Sequence, residues 1–193
     1  MFKSSGWTPI PAGIITVALL LSLSIESVMA DSEQRAPYGI GRPAAQAEIQ
    51  SWDIDISPNG DSLPSGRGTV KEGAIIYADF CASCHGETGI EGPMPALIGG
   101  HNTLNTDQPL KTVGSFWPFA TTLFDYIYRA MPLNAPQSLA PQQVYAVAAW
   151  ILFRNGLIKE TATLDAKSLP NIQMPNRNNF VSDPRPDISE KHP

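Results

Sequence analysis

Two thiols and an imidazole stand close together at Cys81, Cys84 and His85, in the run Cys81-Ala82-Ser83-Cys84-His85. The pattern is C-x-x-C-H, the attachment signature of a covalently bound c-type haem. On a helix, Cys81 and His85 are four apart and share a face, with Cys84 beside them. Two thioethers can then fix one edge of a porphyrin while the imidazole lies under the iron. A structural zinc site wants four Cys/His ligands, and the whole chain has two cysteines and three histidines. A thioredoxin-like redox pair wants a βαβ setting, and no strand-helix alternation flanks the motif.

The elements that must position these residues are helical. A first helix is expected from about Val70 through the motif, with Gly73, Tyr77, Phe80 or Cys81, and Cys84 along one stripe. Glycine within that stripe costs about 1 kcal/mol against alanine, so a second helix should cross at a notch there. The candidate is Pro141 to Arg154, with proline suited to a first helical position and Asn155-Gly156 as the stop. Its buried face is expected to be Val144, Val147, Ala148, Ile151 and Leu152, with Trp150 beside them. A middle helix, Thr121 to Ala130, should start on a hydroxyl cap, bury Leu123, Ile127 and Ala130, and end at Met131-Pro132.

At 193 residues the chain has room for one domain plus arms. Residues 1–30 have the form of a cleaved signal peptide: Lys3, an apolar run from Ile14 to Leu23, and small residues at Val28-Met29-Ala30, with cleavage expected after Ala30. The apolar run is short for a bilayer span, so no stable membrane span is expected. Retention of the leader as an anchor is the alternative. Export to a periplasm suits thioether attachment, and with both cysteines in the motif no structural disulfide remains. Without the leader the chain keeps 12 basic and 17 acidic residues, a net charge of −5. No basic stripe is present to drive counterion release, which argues against a nucleic-acid partner.

Residues 31–68 form an expected N-terminal extended arm, rich in Pro, Gly and short polar residues, with helix only at Ala44 to Trp52 and an apolar patch of Trp52, Ile54 and Ile56. Residues 69–158 form the helical domain, and residues 159–193 an extended tail with several prolines. Leu164, Leu169, Ile172 and Met174 are many apolar residues for a free tail, so the arms are expected to wrap the domain or a partner. The fold class is all-α. A second axial ligand could come from Met94, Met131, Met174 or His101; His192 stands two residues from the end. Met94 adjoins Pro95 on the His85 side, and Met174 would need the tail to cross the haem. Met131 ends a helix, and Pro132 restricts it to extended backbone that turns its side chain inward. Phe116, Trp117, Tyr126, Tyr128 and Arg129 are candidates to line the crevice, with Arg129 or Trp117 bonding a propionate.

Over residues 69–158 the sequence resembles class I cytochromes c. Gly73 and Tyr77 occupy the family's positions eight and four before the first cysteine, and Pro95-Ala96-Leu97-Ile98-Gly99 matches its P-x-L-x-G segment. The resemblance implies the class I cytochrome c fold with extended arms, one haem c on Cys81 and Cys84, His85 and Met131 as axial ligands, and a Pro95 carbonyl that fixes the His85 tautomer. Gly39-Ile40-Gly41-Arg42-Pro43, Trp52-Asp53-Ile54-Asp55, Leu123 to Pro136 and Met174-Pro175-Asn176-Arg177-Asn178 are similar to the SoxD family, cytochrome subunits of the periplasmic Sox sulfur-oxidation system. Larger members carry two C-x-x-C-H motifs and this chain has one. This second resemblance implies a molybdopterin oxidoreductase subunit as partner in a sulfane-sulfur or sulfite dehydrogenase, and a small cytochrome c or terminal oxidase downstream. The chain has no spare cysteine and no catalytic triad for two-electron sulfur chemistry, so bond-making would fall to the partner. A freestanding electron-transfer cytochrome for another respiratory dehydrogenase is the alternative, and the long arms speak against it.

Overall fold

The computed structural model describes residues 38–183 and residue 185. The expected leader, residues 31–37 and His192 lie outside the described residues. The chain divides into two units, Met1–Ser51 and Trp52–Pro193. Helix α1 (Gln46–Trp52) begins in the first of these and buries none of its residues. Its start is organised locally by Glu48, whose carboxylate accepts the Ala45 N–H at 2.7 Å and pairs with Arg42 through bonds of 2.6 and 2.8 Å.

In the second unit, strand β1 (Arg67–Thr69) leads directly into α2 (Val70–Phe80). A capping box fixes that start: the Glu72 N–H donates to the Thr69 hydroxyl, and the Thr69 N–H donates back to the Glu72 carboxylate at 2.9 Å. Helix α5 (Pro141–Arg154) is the centre of the core, buried without interruption from Val144 to Leu152. It crosses α2 at the expected notch. A Cβ on Gly73 would collide with the Ala146 carbonyl and stand 2.9 Å from the Trp150 Cβ, so only glycine lets the two backbones approach. Tyr77, one turn later, stacks on Trp150 with ring centroids 3.9 Å apart.

Three local expectations are corrected. The first helix does not run unbroken through the motif. It stops at Phe80, Cys81 leaves helical geometry at φ −120°, and α3 (Ala82–His85) resumes for one turn. The bonds Cys81 N–H to Tyr77 carbonyl (2.9 Å) and His85 N–H to Cys81 carbonyl (3.0 Å) bridge the break, so the helical path is kept. The middle helix, α4, spans Ala120–Ala130 with Phe119 at its cap and no side-chain cap bond. The Thr121 hydroxyl is committed elsewhere, donating to the Pro58 carbonyl at 3.0 Å. Within the patch expected of Trp52, Ile54 and Ile56, Ile56 enters the core while Trp52 stays 85% exposed.

The segments flanking the helices pack into the fold. Strand β2 (Thr163–Asp165) pairs antiparallel with β1, Leu164 opposite Gly68. Leu164, Leu169 and Met174 are buried, and the Asn176 amide donates to the Phe116 carbonyl at 2.8 Å. On the N-terminal side, Ile56 N–H, Pro58 carbonyl and Pro64 carbonyl are bonded by Asp125, Thr121 and Tyr145 respectively. The architecture is the expected all-α one apart from the β1–β2 ribbon. Among the described residues no helix is long and apolar enough to cross a membrane.

Candidate haem site

A cavity of about 970 Å³ opens beside the motif, lined by Cys81, Cys84 and His85 from the α2–α3 region. Leu123, Tyr126 and Ile127 of α4, Val147 and Ile151 of α5, and the 131–139 segment complete most of its wall. That volume is at the upper end of the roughly 300–1,000 Å³ typical of small-molecule sites, and suits a large apolar ligand. Asp79, His85 and Lys111 are the ionisable lining residues besides the two cysteines and Tyr126.

The wall carrying the motif is built from a tight return of the chain. Met94 N–H donates to the Cys84 carbonyl at 3.0 Å, and His85 Nδ1 lies 3.1 Å from the Pro95 carbonyl oxygen. A carbonyl can only accept, so this contact places the proton on Nδ1 and leaves Nε2 with a free lone pair. Gly92 makes the return possible, because a Cβ there would run into the backbone of Cys84, His85 and Gly86. The Tyr77 hydroxyl donates to the Gly86 carbonyl at 2.9 Å, and burial pushes its pKa up to about 12, so it stays a donor.

Burial, with the neighbouring Cys84 as a second cause, pushes the Cys81 thiol up to about 11. Among the described residues no group of three or more His, Cys, Asp or Glu is placed to hold a metal ion. Two thiols, an oriented imidazole, a thioether and a large apolar cavity are the donor set of a haem c site, and the residues present fit that group.

Met131 lines the cavity in extended backbone, φ −120° and ψ 147°, at the C-terminal cap of α4. Met94 also lines it, with 42% of its surface exposed. Met174 is buried in the core and does not line the cavity, and neither does His101 in its exposed turn. The crevice residues divide. Trp117 and Tyr126 line the cavity and meet edge to face at 5.9 Å. Phe116, Tyr128 and Arg129 do not line it. Arg129 is corrected as a propionate candidate: its guanidinium is held by Asp125 through bonds of 2.8 and 2.6 Å, four residues back on α4.

The cytochrome c family model matches residues 70–153. A chain of the crystal structure of the sulfane dehydrogenase SoxCD from Paracoccus pantotrophus is 39% identical, with a TM-score of 0.70, over 76% of this chain and 73% of that one. The chain belongs to the cytochrome c family. Among curated proteins no relative matches it. It is thus an electron-transfer cytochrome, similar to the SoxD cytochrome subunit, and haem is the family's cofactor.

Two positioning residues of this cytochrome carry no sequence signal of their role. Buried Asn155 accepts the Gly99 N–H at 3.0 Å and donates to the Leu97 and Ile151 carbonyls, tying the segment after Pro95 to the end of α5. Thr112 donates to the Gly99 carbonyl and, with Ser115, organises the buried loop that brings Lys111 and Val113 to the cavity. Asn155 was visible only as a helix stop, since an asparagine before glycine has that role far more commonly.

Proposed function

We propose that this cytochrome is a periplasmic, single-haem electron acceptor, the cytochrome subunit of a molybdenum-dependent dehydrogenase of sulfane sulfur or sulfite. The observation that carries the reading is one cavity lined by Cys81, Cys84, His85 and Met131, with the Pro95 carbonyl on the imidazole. The similarity to a chain of SoxCD supports the choice of partner. In this reading residues 69–158 are the cytochrome domain, residues 31–68 and 159–193 are its arms, and the leader is removed after Ala30.

Haem c, when bound, supplies one-electron Fe(III)/Fe(II) chemistry. The chain's own residues do the rest. Cys81 and Cys84 would hold the group through two thioethers, and His85 Nε2 and the Met131 sulfur would be the donors to its iron. Pro95, by holding the Nδ1 proton, fixes the imidazole plane and raises its basicity. Leu123, Ile127, Val147 and Ile151 exclude water from the cavity. Two-electron bond chemistry on sulfur belongs to the molybdopterin partner, and a small cytochrome c or terminal oxidase takes the electrons onward.

The test is to isolate the protein from the periplasm of its source. The expected result is one haem per chain, retained under denaturation, and a molybdenum protein that co-purifies and reduces it when given sulfite or a sulfane donor. A haem-bearing monomer in fresh extract, reduced by no sulfur compound, would leave the freestanding carrier instead. Haem released by acid acetone would remove the covalent assignment.

A further inference from the structure

Helix α4 carries Met131 at its end, and its two faces have different attachments. Leu123, Ile127 and Met131 face the cavity. Asp125, two residues from both Leu123 and Ile127, is turned about 200° away from each by the helical repeat. Its carboxylate is nearly buried, 11% exposed at the side chain. One oxygen accepts the Ile56 backbone N–H at 2.9 Å together with Arg129 Nε at 2.8 Å; the other accepts Arg129 Nη2 at 2.6 Å. One turn earlier on the same helix Thr121 donates to the Pro58 carbonyl, and Ile56 itself is buried against the core. The segment 56–58 is therefore a brace behind α4, joined to it by a charged and a neutral bond across more than sixty residues of chain.

We propose that this brace positions the Met131 sulfur: Asp125 and Thr121 hold α4 against the cavity so that the thioether stays on the iron. The proposal rests on the reading of Met131 as axial ligand. An 11-residue helix has little stability of its own, and a neutral thioether without charge depends on being held in place. Arg129 serves the same end by neutralising a carboxylate that would otherwise be costly to bury beside an apolar core. Asp125 is thus a positioning residue, set behind the helix and outside the cavity lining.

The experiment uses the full haem-loaded protein and measures imidazole affinity for the ferric form, the long-wavelength sulfur-to-iron absorption band, and the thermal midpoint. Asp125→Ala is expected to raise imidazole affinity at least tenfold, on the scale of one lost charged hydrogen bond, and to weaken the sulfur band. Asp125→Asn keeps an acceptor for Ile56 and should recover much of the wild-type affinity, which covers the case in which the alanine protein fails to fold. Tyr145→Phe removes the bond from α5 to the Pro64 carbonyl and is expected to lower the midpoint with imidazole affinity unchanged. Should Asp125→Ala and Tyr145→Phe shift imidazole affinity equally for equal loss of midpoint, or should neither shift it, the brace has no positioning role. A wild-type protein whose sulfur band is absent, or survives Met131→Ala, removes the axial assignment itself and the proposal with it, an outcome distinct from a band that Met131→Ala abolishes and Asp125→Ala leaves intact.

Discussion

The two walls of the cavity are built in opposite ways. The wall bearing the motif is local: Cys81, Cys84, His85, Met94 and Pro95 lie within fifteen residues and are bonded to one another. The wall bearing Met131 is assembled from afar. Its helix is braced by residues 56–58, and Phe116, just before it, is held by Asn176. Local closure costs little chain entropy, whereas long-range closure is worth forming only once a core exists to reward it. Residues 81–95 are closed by short loops, with Asn155 fastening the segment after Pro95, whereas the Met131 wall is held by bonds across more than sixty residues.

The largest test of that contrast removes both thioethers. Cys81→Ser with Cys84→Ser is expected to abolish haem retention, leave an unfilled apolar cavity of about 970 Å³, and lose cooperative unfolding by circular dichroism. Native helicity in that variant would mean the distant braces suffice alone. Met131→Ala should retain covalent haem and lose the sulfur band, with destabilisation of about 2 kcal/mol in denaturant titration, the low end for Met→Ala because the side chain is only partly buried. Asn155→Ala strands the Gly99 N–H and the Leu97 carbonyl, while the Ile151 carbonyl keeps the backbone N–H of residue 155; the expected cost is about 1–2 kcal/mol, with faster exchange at the Gly99 amide than at amides of α4. Equal acceleration on both walls would erase the distinction between them.

The smallest effect concerns the start of α2. Thr69→Ala should cost about 1 kcal/mol. The Thr69 hydroxyl, and then its amide, hold the Glu72 carboxyl below the ordinary carboxylate range. The folded pKa is lower than the unfolded one, so the contribution is complete above the usual glutamate pKa and disappears as pH falls through the folded value. The midpoint difference between wild type and Glu72→Gln should therefore be present at neutral pH and shrink in acid.

Legibility followed the same division. The motif, its helix and the glycine notch were readable, because each depends on neighbours in sequence or on one close approach. Helix α5 was legible from end to end, since proline and Asn-Gly punctuate it. The break at Cys81 was not, as backbone bonds continue on both sides of it. Thr121 has the type and place of a cap, yet its hydroxyl serves Pro58, sixty-three residues away. Arg129 looked free to reach a propionate until Asp125 was seen to need it. The distant partner of Thr121 leaves no periodic signal, and the pairing of Arg129 one turn back is set by the need of Asp125, whose own role depends on the distant Ile56.

Strand β2 has a practical corollary for anyone cutting the gene. Ending the chain at the last helix would strip β1 of its pairing partner and uncover the pockets that Leu164, Leu169 and Met174 fill. A minimal expressible version should run through Asn176, and a shorter one is expected to emerge as insoluble material.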